Sequence, residues 1–371
     1  MDGLLGEFGG GDAVARAESW RYSRQALRAL EQQPFQHADG NAVLPQALVE
    51  RFDWPHTRGR RLVFVNGALD AARSDAGACG AIVESAPDGT QVLRLHGGSA
   101  LHIVFAHIPA TVPSRWNRAL RVYAECGQST LVEQHLGTDG ADTLGALSLR
   151  ITVADGAVLR KSILGDLPAS ASLYRRTDIS VGAEAGLESL YALCGGRFQR
   201  YDIDADLARP KARIGLRGVF ALRGRGHADV HLDVRHAARD TVSDVSWRGV
   251  ADGRARGILH GAITVAPGAD GADARLQTKN LLLSPHAEID AQPVLEIYAD
   301  EVKASHGASV GQLDERALFY LRSRGVPLAA ARNLLIAGFC RESFAHLETT
   351  DLRGPFEALL DAHLPQHAEA A

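Results

Sequence analysis

Along the middle of the chain, short apolar runs alternate with polar or small residues, and turn-forming residues follow many of them. Leu62-Val-Phe-Val-Asn-Gly67, Leu101-His-Ile-Val-Phe-Ala106, Leu147-Ser-Leu-Arg-Ile-Thr-Val153, Val219-Phe-Ala-Leu-Arg223 and Ile263-Thr-Val265 are examples. Gly, Asp-Gly or Pro-Gly stands close behind several of these runs. Such a period with such punctuation predicts strands. From Arg60 to about Ser305 no stretch of ten or more residues with helical spacing interrupts them, so strands joined by crossover helices are not expected. Some 240 residues of short strands is long for one sandwich. A solenoid buries its apolar faces coil upon coil and has no such size limit. The repeat is irregular, so the pattern favours a solenoid over a sandwich or barrel without deciding between them.

The two ends have a different texture. Behind a glycine-rich start, Gly9-Gly10-Gly11, a helical pattern runs from Val14 to about Leu30 and a Gln/Pro/His-containing linker follows. From Gln312 the period turns helical again. Asp314 is a good N-cap for a helix over Glu315–Ser323, and Gly325 suits the left-handed residue that ends it. Pro327 fits the first position of a second helix, with Leu328, Ala331, Leu335 and Phe339 as its apolar stripe. A third short helix is expected near Pro355, striped by Phe356, Leu359 and Leu360. The chain thus divides into a helical region and linker over 1–58, a β core over 59–308 and a helical region over 309–371.

Composition narrows the class of function. The apolar fraction of 46% and charged fraction of 23% are those of a soluble globular protein. A formal net charge of −4 gives no reason to expect nucleic acid or an anionic membrane as partner. The lysines are only Lys161, Lys211, Lys279 and Lys303, a bias toward arginine that we read as coding preference. The Arg-rich stretch from Arg209 to Arg225 is interrupted by apolar residues and reads as solvated strand faces. Cys79, Cys126, Cys194 and Cys340 are widely separated with no C-x-x-C pair. That argues against a zinc ribbon, a disulfide scaffold and a cluster ligated by this chain alone. No signal peptide and no membrane-length apolar run is legible, so a reducing, cytoplasmic setting is expected.

Several stretches invite chemistry. Gly307-Ala-Ser-Val-Gly311 matches G-x-S-x-G between a strand and a helix, the setting of a nucleophile elbow. The helix cap at Asp314, however, lies five residues beyond Ser309, and only helices remain to carry an acid and a base. A serine hydrolase is therefore disfavoured. His227 and His231 share one strand face but stand roughly 13 Å apart, too far to share a tetrahedral ion. His102 and His107 point to opposite faces. Solvated strand histidines are the expectation for these. Gly224-Arg-Gly226 lacks a third glycine and a following helix, so no dinucleotide site is supported, and there is no Walker A sequence. His306 is expected at the tip of a glycine-bounded turn into which a strand runs. From the residues alone it is a general base, a metal ligand, part of a triad or a polar turn residue.

The C-terminal third resembles the SufB/SufD family of the SUF iron–sulfur cluster assembly system. The signature runs from Asn280-Leu-Leu-Leu-Ser-Pro-His-Ala-Glu-Ile-Asp-Ala-Gln-Pro293 through Leu295-Glu-Ile-Tyr-Ala-Asp-Glu-Val-Lys303 and Ser305-His-Gly-Ala-Ser-Val-Gly311 to Leu318-Phe-Tyr-Leu-Arg-Ser-Arg-Gly325. Weaker echoes lie at His236 to Gly249, Gly261-Ala-Ile263, Val63-Phe-Val-Asn-Gly67 and Glu18-Ser-Trp-Arg-Tyr22. The likeness is to the SufD branch. The SufB branch carries a cysteine six residues before the proline matching Pro293, where this chain has Ala287, and reads Glu-His-Glu-Ala where this chain has Ser305-His-Gly-Ala308. The branch's usual cysteine before Ser-His-Gly is Ala304 here, and the N-terminal helical region is shorter than usual.

The resemblance implies a mainly β fold, a right-handed parallel β-helix flanked by N-terminal and C-terminal helical regions. It implies no catalysis, but a scaffold role in a complex with SufB and the ABC-type ATPase SufC. The branch's functional histidine maps onto His306, as a ligand to iron or a nascent cluster shared with a partner subunit. No cluster would be held stably by this chain alone. The strand edge near Ala287 to His306 is expected to meet a SufB-like paralogue, and the helices from Gln312 onward a SufC-like ATPase. In isolation the chain is a possible homodimer. The competing expectations are a β-helix enzyme acting on polysaccharide, for which no acidic pair is evident, and a purely structural homodimer.

Overall fold

The computed structural model describes residues 20–54, 57–345 and 350–364. Its body is a parallel β-solenoid of about eight coils with helices at both ends. Successive strands enter two ten-stranded sheets alternately, so each strand pairs with the strand after next. The first sheet closes on Glu288–Ile297 and the second on Lys303–Gly311. In the second sheet Val158 pairs with Gly186, Gly186 with Arg213, Arg213 with Val242, Val242 with Asp273 and Asp273 with Lys303. Successive coils therefore take 28, 27, 29, 31 and 30 residues, the differences between paired numbers. Strand length is nearly constant and turn length is not. That is why the repeat is hard to see in the sequence.

Alternation sets which side chains fill the bore. In Asp273–Leu282 the inward residues Ala274, Leu276, Thr278 and Asn280 are buried while Arg275, Gln277 and Lys279 are exposed. Parallel in-register pairing places the inward residues of successive coils directly over one another, and each fully buried Leu, Ile or Phe contributes about 1.5–3 kcal/mol. In the middle coils the outer faces are buried as well, because the terminal segments fold back on them. Central strands such as Gly186–Gly195 consequently read as near-continuous apolar runs.

The C-terminal helices cover the second sheet. Glu315–Ser323 begins as expected, with Asp314 accepting from the Arg316 and Ala317 amides at 2.8 and 3.4 Å, and Gly325 has a φ of +84°. In Leu328–Arg341 Ala331, Ile336, Ala337 and Cys340 are buried with Phe339 packed against the same cluster, so the predicted Leu328–Phe339 stripe meets the core in part, at Ala331 and Phe339. Leu328 and Leu334 are exposed. Spacing alone could not decide which of two apolar stripes meets the sheet. The last helix spans Thr350–His363, enclosing Pro355 rather than beginning there, and buries Phe356, Leu359 and Leu360 as expected. Ile336, Cys340, Phe356 and Leu360 pack with Leu164, Leu190, Val219 and Val250 from the strands.

At the other end, the helix Arg24–Glu31 lies on the first sheet, where Leu30 and Trp20 pack with Leu144, Tyr174 and Phe198. The Arg200 guanidinium sits 4.3 Å over the Trp20 ring. Gly9-Gly10-Gly11, the predicted helical residues 14–19, and with them Glu18 and Ser19 of one family echo, lie outside the described residues.

Candidate functional site: the open end of the solenoid

Where the coils stop, both sheets end in strands paired on one side only, Glu288–Ile297 to Arg256–Val265 and Lys303–Gly311 to Asp273–Leu282. Each presents an unpaired row of backbone donors and acceptors. Pro293, which has no N–H, falls on one of these edge strands, where a proline is tolerated.

The structure corrects the setting of His306. It is no turn residue: it stands inside the strand Lys303–Gly311, in register with the buried Leu276 of the preceding coil. The register aims it with the bore-facing set, yet it is exposed, because no further coil covers it. Ala308 and Val310 share its face, and across the bore stand Ile289, Ala291, Pro293 and Leu295 on the strand whose partners are Gly257, Leu259, Gly261 and Ile263. Among the described contacts His306 has no hydrogen-bond or ion-pair partner. An imidazole so placed, at the rim of an apolar bore, keeps a ring nitrogen available for coordination. Ala304 is half-buried beside it and Ala287 is buried at the corner before the other edge strand.

No thiolate stands beside it. Cys79, Cys194 and Cys340 are buried, and burial pushes the Cys194 thiol well up and that of Cys340 to about 12. Cys126 is exposed, but its turn opens the strand Gln128–Gly137, six coils before Lys303–Gly311 and so roughly 30 Å away.

The other sequence candidates resolve differently. Ser309 lies in extended strand, and neither Gly307 nor Gly311 has the left-handed φ of a strained elbow. The strand histidines are not solvated as expected. His231 is 3.0 Å from Asp229 and stacks on His260 at 5.0 Å, while His227 accepts or donates at 3.0 Å to Ser23. Burial lowers His227 to about 4. Burial would raise Asp229, but Arg200 and His231 hold it well below the usual carboxylate range. Ser23, from the N-terminal segment, donates to Asp229 and pins that segment to the sheet. Among the described residues no three His, Cys, Asp or Glu side chains are grouped to hold a metal ion. His102 stacks on Trp54 outside the solenoid and His107 is buried within it, so the two do face opposite ways.

Sequence reasoning missed two features. One is that two edges, Glu288–Ile297 and Lys303–Gly311, end the solenoid together, where the sequence led to the expectation of a single strand edge near Ala287 to His306. The other is a set of charges inside the bore, Glu133, Lys161 and Arg175, scattered over 43 residues and legible only as charges in the apolar phase of their strands.

Exposed apolar side chains concentrate at this end. Among the described residues, seven of the eleven large ones lie between Ile297 and Leu334: Ile297, Tyr298, Val310, Phe319, Tyr320, Leu328 and Leu334. No described helix is long and apolar enough to cross a membrane.

A family model described as SUF system FeS cluster assembly, SufBD core domain, matches residues 110–339, more than half of the chain. The iron–sulfur cluster assembly protein SufD of Escherichia coli (strain K12) is 28% identical over 242 residues, 65% of this chain and 57% of that protein. Protein ABCI7, chloroplastic, of Arabidopsis thaliana is 26% identical over 301 residues, 78% of this chain and 62% of its own length. The iron–sulfur cluster assembly protein SufD of Bacillus subtilis (strain 168) is 26% identical over 226 residues, 60% of this chain and 52% of that protein. The chain thus spans between half and two thirds of the length of these relatives.

Proposed function

Because the chain belongs to the SufB/SufD family of the SUF iron–sulfur cluster assembly system, in its SufD branch, we propose that it is a non-catalytic scaffold subunit whose His306 contacts the nascent cluster at a subunit interface. The observation that carries this reading is the position of His306, a bore-facing yet exposed imidazole on an unpaired sheet edge. Neutral imidazole is a borderline ligand suited to iron. One histidine cannot hold a cluster, and no thiolate of this chain stands near it, so the remaining ligands come from a facing subunit. Iron and sulfide are cargo here, and the chain alone holds neither stably.

Two surfaces serve assembly. The paired free edges Glu288–Ile297 and Lys303–Gly311 receive a SufB-like paralogue, since an open edge is a template for another chain's backbone. In isolation a second copy of this chain occupies the same edges. The region 309–371 offers Phe319, Tyr320, Leu328 and Leu334 to a SufC-like ATPase. A reducing compartment, the cytoplasm, suits the free cysteines.

The test is His306→Ala in the full chain, co-expressed with both partners. The side chain has nothing packed over it, so the complex should assemble and melt as wild type does. Cluster loading, read from iron and sulfide content and visible absorbance, should fall about tenfold or more, the scale of a lost metal contact. Unchanged loading would show that His306 is no ligand.

A further inference from the structure

Midway along the bore a group of ionisable side chains is sealed from water. Glu133 lies on the strand Gln128–Gly137, Lys161 on Val158–Leu167 one coil later, and Arg175 on Ala171–Val181 of the opposite sheet. Glu133, Lys161, Arg175 and His135 are each at most 1% exposed. Arg175 grips both oxygens of Glu133, Nε to Oε1 at 2.8 Å and Nη2 to Oε2 at 2.9 Å. His135 Nε2 meets Oε1 at 2.8 Å, and its other ring nitrogen meets His107 at 3.3 Å. Lys161 Nζ approaches Oε2 at 2.9 Å as a surplus cation on an already satisfied carboxylate. Beyond it lie the buried Ser189, its register partner on the next coil, the ring of Tyr191 at 5.8 Å, and Tyr201, on which Arg175 rests at 5.8 Å.

The imbalance is simple to state. Two full cations face one carboxylate in a medium that cannot solvate the excess, and an uncompensated buried charge is costly. Arg175 cannot shed its proton. Burial lowers both His135 and His107, so neither carries charge at neutral pH. Burial would raise Glu133, but Arg175 and Lys161 hold it well below the usual range. Only Lys161 can relieve the excess. We propose that this cluster is a protonation switch inside the solenoid, in which loss of one proton from Lys161 leaves the bore electrically balanced and the coils around it more firmly packed.

Burial drives the Lys161 ammonium down to about 7, with Glu133 opposing and Arg175 assisting. A lysine depressed in the folded state binds fewer protons there than in the unfolded chain. Its cost is complete below about pH 7 and is relieved as pH rises toward the ordinary lysine value of 10.5. Stability should therefore rise with pH across that window.

The chain has only four lysines, and Lys211, Lys279 and Lys303 are exposed. A ¹³C-lysine NMR titration of the full chain can therefore follow Lys161 individually, with Lys→Arg replacements at the three exposed sites assigning its signal by elimination. We expect that signal to titrate near pH 7, and to be absent from Lys161→Met. The thermal midpoint of wild type should gain several degrees on that of Lys161→Met between pH 7 and pH 10. A Lys161 signal that moves only above pH 9 overturns the proposal, as do parallel midpoint curves for the two proteins. The titration needs only the wild-type fold, so the signal itself decides even where Lys161→Met folds poorly.

Discussion

His363 Nε2 lies 2.7 Å from Asp166 Oδ1, and Arg51 occupies the carboxylate's other oxygen. One carboxylate on the outer face of the second sheet thereby binds both the last helix and the segment that precedes the solenoid. A second tie joins Arg248 to Glu342, with the guanidinium 4.7 Å over Phe339. The C-terminal helical region is thus clamped to the coils at two places.

Removing the charge of Asp166 should loosen the last helix. Burial would raise this carboxyl, but His363 and Arg51 hold it below its ordinary value. Asp166→Asn keeps the shape and should lose about 1–2 kcal/mol. Hydrogen exchange should speed up over residues 353–363 before the rest of the chain responds. A depressed carboxylate stabilises above its unfolded pKa of about 3.9 and loses that effect as pH falls through its folded value. Wild type should accordingly release the helix below about pH 4, while the variant shows the faster exchange already at neutral pH. Identical exchange in the two proteins would remove the clamp.

Small residues make room for the large rings of the bore. A Cβ added at Gly218 would fall 2.6 Å from three ring atoms of Trp247, itself fully buried. Gly218→Ala should cost about 1–3 kcal/mol by denaturant unfolding. At the open end nothing lies within 4 Å of a Cβ built on Gly307, whose φ is not left-handed. Gly307→Ala, on the outer face of the last strand, should leave stability within about 0.5 kcal/mol.

Charge placed on the exposed helical face should separate folding from partner binding. Phe319 is 74% exposed and Leu334 55%. The double variant Phe319→Glu, Leu334→Glu should melt within about 1 kcal/mol of wild type, yet fail to retain the ATPase in a pull-down. Retention at wild-type level would move the docking surface elsewhere. Deleting residues 312–371 is a poorer test, because it uncovers Leu164, Leu190, Val219 and Val250. The truncated chain should aggregate, measurable by light scattering.

Local chemistry was readable from the chain. The cap at Asp314, the left-handed Gly325 and the strand alternation all depend on residues a few positions apart, and all stand in the structure as the pattern requires. The motif around Ser305-His-Gly-Ala308 identified the family because it is a contiguous string. What the chain could not disclose is whatever depends on the coil above or below. His306 looked like a turn residue because glycine follows it, and became a strand residue because Leu276, thirty positions earlier, fixes its register. Its exposure follows from the absence of a next coil. Glu133, Lys161 and Arg175 meet only because a coil of 30 residues brings the first two into adjacent strands and folds the third across from them. Alternation predicts that a strand has two faces. Which face is inside, and which strand is last, is set by the packing of coils whose turns vary in length, and that information exists only in the folded molecule.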